Sequence, residues 1–234
     1  MKQKADIYPQ WTIGLLKPNL YSGHVHIWRI LLPIETAIKT RFQKTLSQDE
    51  LSRLEKFHFD IDRERTLVAR GGLRNILARY LNKAPSDIAF QYTEFGKPFL
   101  NQSFLKFNVS HAHHCILIAI ADNMDVGIDV EYSKKTFDYL SIAKEFFTLE
   151  EYVFLLTFSA KERQCAFYRL WTQKEAILKG IGLGLNVPLN QFDVSKNNEW
   201  QLSNINPGEE YTAALATSEK PNKIFLWDWK KIQE

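Results

Sequence analysis

The six residues Val126-Gly127-Ile128-Asp129-Val130-Glu131 alternate so strictly that they force a strand with two unlike faces. Val126, Ile128 and Val130 fall on one side and require a core beneath them. Gly127, Asp129 and Glu131 fall on the other, with the two acids roughly 6–7 Å apart between Cα atoms. Like charges that close repel unless something positive lies between them. An oxygen-seeking cation such as Mg²⁺, commonly held by one or two carboxylates plus substrate phosphate oxygens, would meet that need. A solvated strand edge carrying surface acids is the competing reading. Gly127 leaves room beside the acids for a ligand or another backbone to approach.

A second segment, Trp171-Thr172-Gln173-Lys174-Glu175-Ala176-Ile177-Leu178-Lys179, places another acid beside a lysine on a strongly helical stretch. Ser159-Ala160-Lys161-Glu162 has the pattern of a capping box. It opens a helix expected to reach Lys179 and end near Gly180 and Gly182. Glu175 and Lys179 are four residues apart, so they share a face beside an apolar seam. As a plain surface ion pair they would contribute only about 0.3–0.5 kcal/mol.

A chain of 234 residues can bury an ample core, and a net charge of +3 suits a phosphorylated ligand or an acidic partner. It does not supply the concentrated basic face that nucleic acid calls for. Neither cysteine, Cys115 nor Cys165, has a metal or redox spacing, and both are expected to be small buried hydrophobes. Met1 to Asp6 lack the apolar core of a signal peptide, and no stretch approaches a membrane span. A reducing, cytoplasmic location is the simplest expectation.

Along the chain, strands are expected at Trp11–Leu16 and Val25–Leu32, and a capping box at Ser47-Gln48-Asp49-Glu50 starts a helix. A long helix follows from about Arg63 to Asn82, with Arg70 and Arg74 sharing a face and Gly71-Gly72 costing roughly 1 kcal/mol each. Strands are then expected at Ile88–Thr93 and Leu105–Val109, closed by Ser110-His111, and at Cys115–Ala121 and Val126–Glu131. The last two read as neighbours joined by Asp122-Asn123-Met124-Asp125. Thr148-Leu149-Glu150-Glu151 is a further capping box, and three strands finish the chain at Trp200–Ile205, Tyr211–Thr217 and Lys223–Trp229. There is no evident sequence repeat. The class is α+β, because strands cluster rather than alternate with helices.

Four segments occur in order: Phe95-Gly96-Lys97-Pro98, Phe107-Asn108-Val109-Ser110-His111, Val126 to Glu131, and Trp171 to Gly180. In order and spacing they resemble the 4'-phosphopantetheinyl transferases of the surfactin-synthetase-activating (Sfp) type, over roughly residues 45–195. The resemblance implies transfer of the phosphopantetheine arm of coenzyme A to a serine of an acyl or peptidyl carrier protein, releasing adenosine 3',5'-bisphosphate. It implies two similar α+β lobes, a pseudo-dimer of small, mostly antiparallel sheets packed on helices, with the site in the cleft between them. The boundary would fall near Asp125, giving lobes 1–124 and 125–234.

Position by position, the resemblance makes Asp129, Glu131 and Glu175 ligands of Mg²⁺. Glu175 would also be the general base, acting directly or through a metal-bound water, and Lys179 would neutralise the pyrophosphate and departing bisphosphate. Arg53, Arg65, Thr66, Lys97, Pro98, Ser110 and His111 would contact coenzyme A. Glu50 departs from the pattern, standing where some members have a second lysine, which bears on how the 3'-phosphate is held. His111-Ala112-His113-His114 as a metal cluster is a weaker reading. Exposed apolar residues at Phe146, Phe147 or Leu149 are candidates to receive the carrier, with burial in the core the alternative. The partners implied are an acidic carrier protein and coenzyme A, without nucleic acid or membrane, and the chain is expected to be a monomer. The pathways served by the family are fatty acid, polyketide and nonribosomal peptide synthesis. Two alternatives stay open: a non-catalytic carrier-binding relative, and another Mg²⁺-dependent phosphoryl or nucleotidyl transferase, although no P-loop is present.

Overall fold

A computed structural model describes residues 10–134, 137–182 and 188–229. Met1 to Asp6 lie outside them. Among the described residues, ten strands and six α-helices make two sheets, a short ribbon and their helical cover: β1 (Thr12–Ile13), β2 (His24–Leu31), α1 (Thr36–Gln43), α2 (Gln48–Leu54), α3 (Asp60–Leu81), β3 (Gln91–Tyr92), β4 (Pro98–Phe99), β5 (Leu105–Ala112), β6 (Cys115–Asp122), β7 (Val126–Tyr132), α4 (Tyr139–Phe146), α5 (Leu149–Leu156), α6 (Ala160–Ile181), β8 (Gln201–Ile205), β9 (Tyr211–Thr217) and β10 (Lys223–Asp228). The α+β class is as expected from the sequence.

The first sheet has the order β1-β10-β2-β6-β5, and the second, β7-β9-β8, is antiparallel throughout. β6 and β7 are therefore not partners in one sheet, contrary to the reading of them as neighbouring strands. After the Asp122–Asp125 turn the chain stacks faces instead of pairing edges. Val126, Ile128 and Val130 pack with Leu117, Ala119, Val25 and Ile27 in one core. A second core on the far side of the first sheet joins Trp28, Ile30 and Ile118 to Phe42, Leu73 and Leu77 of α1 and α3. β10 also returns to the first sheet, parallel to β2 with Leu226 opposite Ile27. β10 thus joins the sheet of β2, β6 and β5 from a position beyond residue 125.

An internal correspondence about a hundred residues apart, not evident as a sequence repeat, shows in the bonding. Ser47 and Glu50 close a capping box on α2, and Thr148 and Glu151 close one on α5. Each box glutamate is buried and paired with a cation of the following long helix: Glu50 with Arg74 at 2.7 Å, and Glu151 with Lys174 at 2.6 Å. Arg63 donates to the Leu54 and Phe57 carbonyls, and Arg163 to those of Leu155 and Phe158. α3 and α6 each span 22 residues and end on a left-handed cap, Asn82 and Gly182.

Several local expectations are corrected. The first strand shrinks to Thr12–Ile13, and Ser110-His111 lie within β5 rather than closing it. At the start of α6 the Ser159 hydroxyl donates to the Glu162 carboxylate at 2.6 Å and caps no backbone N–H. Cys115 is buried, but Cys165 is exposed. Phe147 belongs to the core, whereas Phe146 and Leu149 are exposed. No described helix is long and apolar enough to cross a membrane.

Candidate active site

Gly127 is the point at which β7 and α6 meet. A Cβ there would lie 1.9 Å from the Ala176 carbonyl oxygen and 2.4 Å from the Gly180 nitrogen. The space beside the acids is therefore filled by the backbone of α6. Because Asp129 and Glu131 share a face with Gly127, that close approach draws them towards the helix stripe Trp171, Glu175 and Lys179.

β5 fixes the strand from the other side. β7 offers backbone donors along the edge away from β9, and buried N–H groups require acceptors. Asn108 Oδ1 accepts from the Ile128 N–H at 2.9 Å, and Ser110 Oγ from that of Val130 at 3.3 Å. The Ser110 hydroxyl also donates to Asp129 Oδ1 at 2.9 Å. Lys179 Nζ reaches the same two atoms, Asp129 Oδ1 at 2.6 Å and Ser110 Oγ at 2.9 Å. Ser110, expected to touch coenzyme A, thus spends its hydroxyl inside the protein, orienting an acid and a lysine. Asn108 is a positioning residue that the sequence reading quoted in a motif but gave no role.

The acids influence one another. Burial and then the charge of Asp129 push the Glu131 carboxyl up to about 7, opposed by Lys179 and a hydrogen bond involving Trp171. Burial and then Asp129 also raise Glu175 above the usual carboxylate range, with Lys179 opposing. Asp129 Oδ2 is buried with no hydrogen-bond partner among the described residues. Among the described residues, no three His, Cys, Asp or Glu side chains close into a preformed metal site. The donor set nonetheless fits a hard divalent cation: three carboxylates under mutual repulsion, one orphaned oxygen and a single lysine between them.

The cleft runs from this point through two cavities that join at Arg65 and His111. A cavity of about 720 Å³ has Glu131, Phe137, Phe167 and Trp171 on one wall and Arg65 and His111 on the other. A cavity of about 310 Å³ continues past Arg65 and His111 to Thr66, Pro98 and Asn108. Arg65 is paired with Asp62, and its Nε is buried without a partner among the described residues. His111 opens onto the cleft. Desolvation by the walls, then the charges of Arg65, Lys179 and Arg70, hold its imidazole down at about 4, against a backbone hydrogen bond that raises it. His113 stacks on Tyr132 with ring centroids 4.4 Å apart.

Two expected contacts, and the departing residue Glu50, are placed differently from a simple nucleotide pocket. Lys97 Nζ donates to the Gly180 carbonyl at 2.6 Å, at the C-terminal end of α6, where a cation meets the negative end of the helix dipole. Burial lowers Lys97 to about 8, with Asp125 opposing. Arg53 is exposed on α2, its guanidinium 5.0 Å from the Tyr92 ring. Glu50 faces the core instead of the cleft. Arg70, to which the sequence reading gave no role in the site, lines the smaller cavity.

The "4'-phosphopantetheinyl transferase, N-terminal" family profile matches residues 33–123, and that of the "4'-phosphopantetheinyl transferase superfamily" matches residues 125–225. The 4'-phosphopantetheinyl transferase HetI of a Nostoc species is 36% identical, with 86% of this chain and 91% of that protein covered. The 4'-phosphopantetheinyl transferase Sfp of Bacillus subtilis is 32% identical, over 86% of this chain and 95% of its own length. The solved holo-[acyl-carrier-protein] synthase of Thermotoga maritima overlaps 41% of this chain and 63% of its own at 22% identity, with a TM-score of 0.33, too low to speak to the fold. Two profiles that divide the chain where the strand of paired acids begins, together with relatives aligned over nearly their whole length, show that the chain belongs to the 4'-phosphopantetheinyl transferase superfamily.

Proposed function

We propose that the chain transfers the 4'-phosphopantetheine group of coenzyme A to a serine hydroxyl of an acyl or peptidyl carrier protein, releasing adenosine 3',5'-bisphosphate. The observation that carries this reading is the meeting of β7 and α6 at Gly127, which sets Asp129, Glu131, Glu175 and Lys179 around one end of a cleft. Phosphoryl transfer asks chiefly for positioning and charge stabilisation, and that set supplies both.

Asp129, Glu131 and Glu175 would hold Mg²⁺, which when bound supplies charge neutralisation at the pyrophosphate oxygens. The protein's own groups do the rest. Glu175, its carboxyl raised above the ordinary range, takes the serine proton as the oxygen attacks the phosphorus bearing pantetheine. The bond from that phosphorus to the bridging oxygen breaks, and the electron pair leaves with the adenosine bisphosphate. Lys179 stabilises the charge that develops there. Ser110 holds Lys179 and Asp129 in place. Arg65, Thr66, His111 and Pro98 receive the nucleotide, with Arg53 at its rim. Lys97 braces the end of the helix that carries Glu175. The aromatic wall of Phe137, Phe167 and Trp171 receives the pantetheine arm.

In this reading the nucleotide contacts come from residues up to 124, and the metal ligands and catalytic helix from 125 onward. All of them come from one chain, which supports action as a monomer. The site of action is the cytoplasm, where the carrier and coenzyme A meet. The test is to incubate the protein with several apo carrier proteins, coenzyme A and Mg²⁺ and weigh the carriers by mass spectrometry. A gain of one phosphopantetheine group is expected, and no gain on any carrier would refute the proposal.

A further inference from the structure

We propose that Arg70 is the residue by which this chain reads the 3'-phosphate of coenzyme A, supplying the cation that Glu50 does not. The inference rests on the transferase reading for the identity of the ligand. It rests on the geometry of the smaller cavity for the residue.

Glu50 cannot face an anion, because it is 3% exposed and committed to Arg74 and the Ser47 cap. Arg74 in turn donates to the Ile88 carbonyl at 2.7 Å, so neither member of that pair reaches the cleft. Arg70 stands one helical turn before Arg74, and one turn after Thr66. It lines the 310 Å³ cavity together with Arg65, Thr66 and His111, and no carboxylate lines that cavity. Among the described residues Arg70 has no carboxylate partner. Its guanidinium lies 5.9 Å from the Tyr92 ring, which Arg53 approaches to 5.0 Å. One tyrosine thus attracts both arginines by cation–π contact, and of the two only Arg70 lines the cavity.

A second observation at the same place is the buried Nε of Arg65, which has no acceptor among the described residues. A buried, unpaired donor is costly, and an anion in the cavity would satisfy it. The Arg70 guanidinium, the free Nε of Arg65, whose far end is held by Asp62, and the Thr66 hydroxyl together offer donors that match a dianionic phosphate. Coenzyme A carries a pyrophosphate and one separate phosphomonoester. The pyrophosphate belongs at the acidic end, where Lys179 stands. The cavity on the far side of His111 is left for the phosphomonoester.

The test is calorimetric titration of the wild type, Arg70→Ala and Arg70→Lys with coenzyme A and with 3'-dephospho-coenzyme A. Arg70→Ala should weaken coenzyme A about tenfold and 3'-dephospho-coenzyme A less than about twofold, as expected when a single charge-assisted hydrogen bond to one phosphate is removed. Arg70→Lys, which keeps the charge but loses the planar fork, should fall between. Equal weakening of both ligands would show Arg70 to be a structural support of Tyr92, and unchanged coenzyme A affinity would show that it does not touch the phosphate. Either result overturns the proposal. If this pattern holds while no carrier protein is modified, the phosphate contact stands and only the transferase reading fails.

Discussion

Replacing Gly127 by alanine should separate a site from a scaffold. The added Cβ would sit 1.9 Å from the Ala176 carbonyl oxygen, whereas real Cβ contacts are essentially never below 3.0 Å, so α6 and β7 must part by about 1 Å. The obstructing atoms are backbone, including Gly180 N at 2.4 Å, and cannot rotate aside. Overpacking of this kind costs about 1–3 kcal/mol or more, which for a domain of this size lowers the melting midpoint by roughly 2–12 °C. The same separation moves Glu175 and Lys179 away from Asp129, and a misplacement of about 1 Å can cost a factor of about 10² in turnover. Gly71→Ala is the matched control. Its Cβ would meet Phe42 Cβ at 2.3 Å, in the core between α1 and α3 and away from the acids. Both variants should melt earlier, by differential scanning calorimetry. In a carrier-modification assay run well below either midpoint, only Gly127→Ala should lose kcat by about two orders of magnitude. Equal kcat in the two variants would refute the idea that Gly127 sets the distance between strand and helix for catalysis.

Glu175→Gln should reduce transfer by at least about 10² while leaving coenzyme A affinity largely intact, and near-normal turnover would remove it as base or essential ligand. Asp129→Ala should weaken activity and its Mg²⁺ dependence together, because Lys179 and Ser110 lose their common acceptor; an unchanged Mg²⁺ titration would contradict that. Arg74→Met leaves the Glu50 carboxylate buried and unpaired and should cost about 3–5 kcal/mol in denaturant unfolding, against no loss if the pair is dispensable. His26 is 1% exposed with Nδ1 2.9 Å from the Tyr80 hydroxyl, and burial, then His24, lower its imidazole from 6.5 to about 4. The folded state therefore favours the neutral ring, so its contribution is full above pH 6.5 and is lost as pH falls towards 4, amounting to about 3 kcal/mol. Comparing melting of the wild type and His26→Phe across that range checks it, since parallel curves would assign the acid sensitivity elsewhere.

The face of β7, the ends of α6 and two of the three capping boxes could be read from sequence because each rests on local periodicity and termination chemistry. The meaning of Gly127 was half legible. The pattern says that something comes close, but only the packed helix says what. Arg70 and Arg74 show where local reading stops. They sit one turn apart on α3, yet Arg74 finds Glu50 in the core, while Arg70 faces the cleft. Both sides of that helix are covered by partners distant in sequence, so spacing alone cannot assign them. The return of β10 to the first sheet is illegible for a similar reason. Lys223 to Asp228 have the composition of a strand, but nothing local selects β2, almost two hundred residues earlier, as the partner.

In the proposed reading, the internal correspondence explains why the acids gather at one end of the cleft. The paired features that hold the scaffold recur in both halves: box glutamate to long-helix cation, arginine to a carbonyl in the last turn of the preceding short helix, and a left-handed cap at the long helix's end. At the same spacing of one hundred, Glu175 and Lys179 correspond to Asn75 and Arg79. Asn75 donates to the Gly71 carbonyl of its own helix at 2.8 Å, and Arg79 lies over Trp28 at 5.4 Å. The first half therefore keeps the helix but replaces the acid, and its open face offers Arg65, Thr66 and Arg70 instead. A ligand with two phosphorylated ends needs this inequality. An acidic cluster that can bind a cation suits the end where a bond must break, and an acid-free arginine pocket suits the end that must only be held.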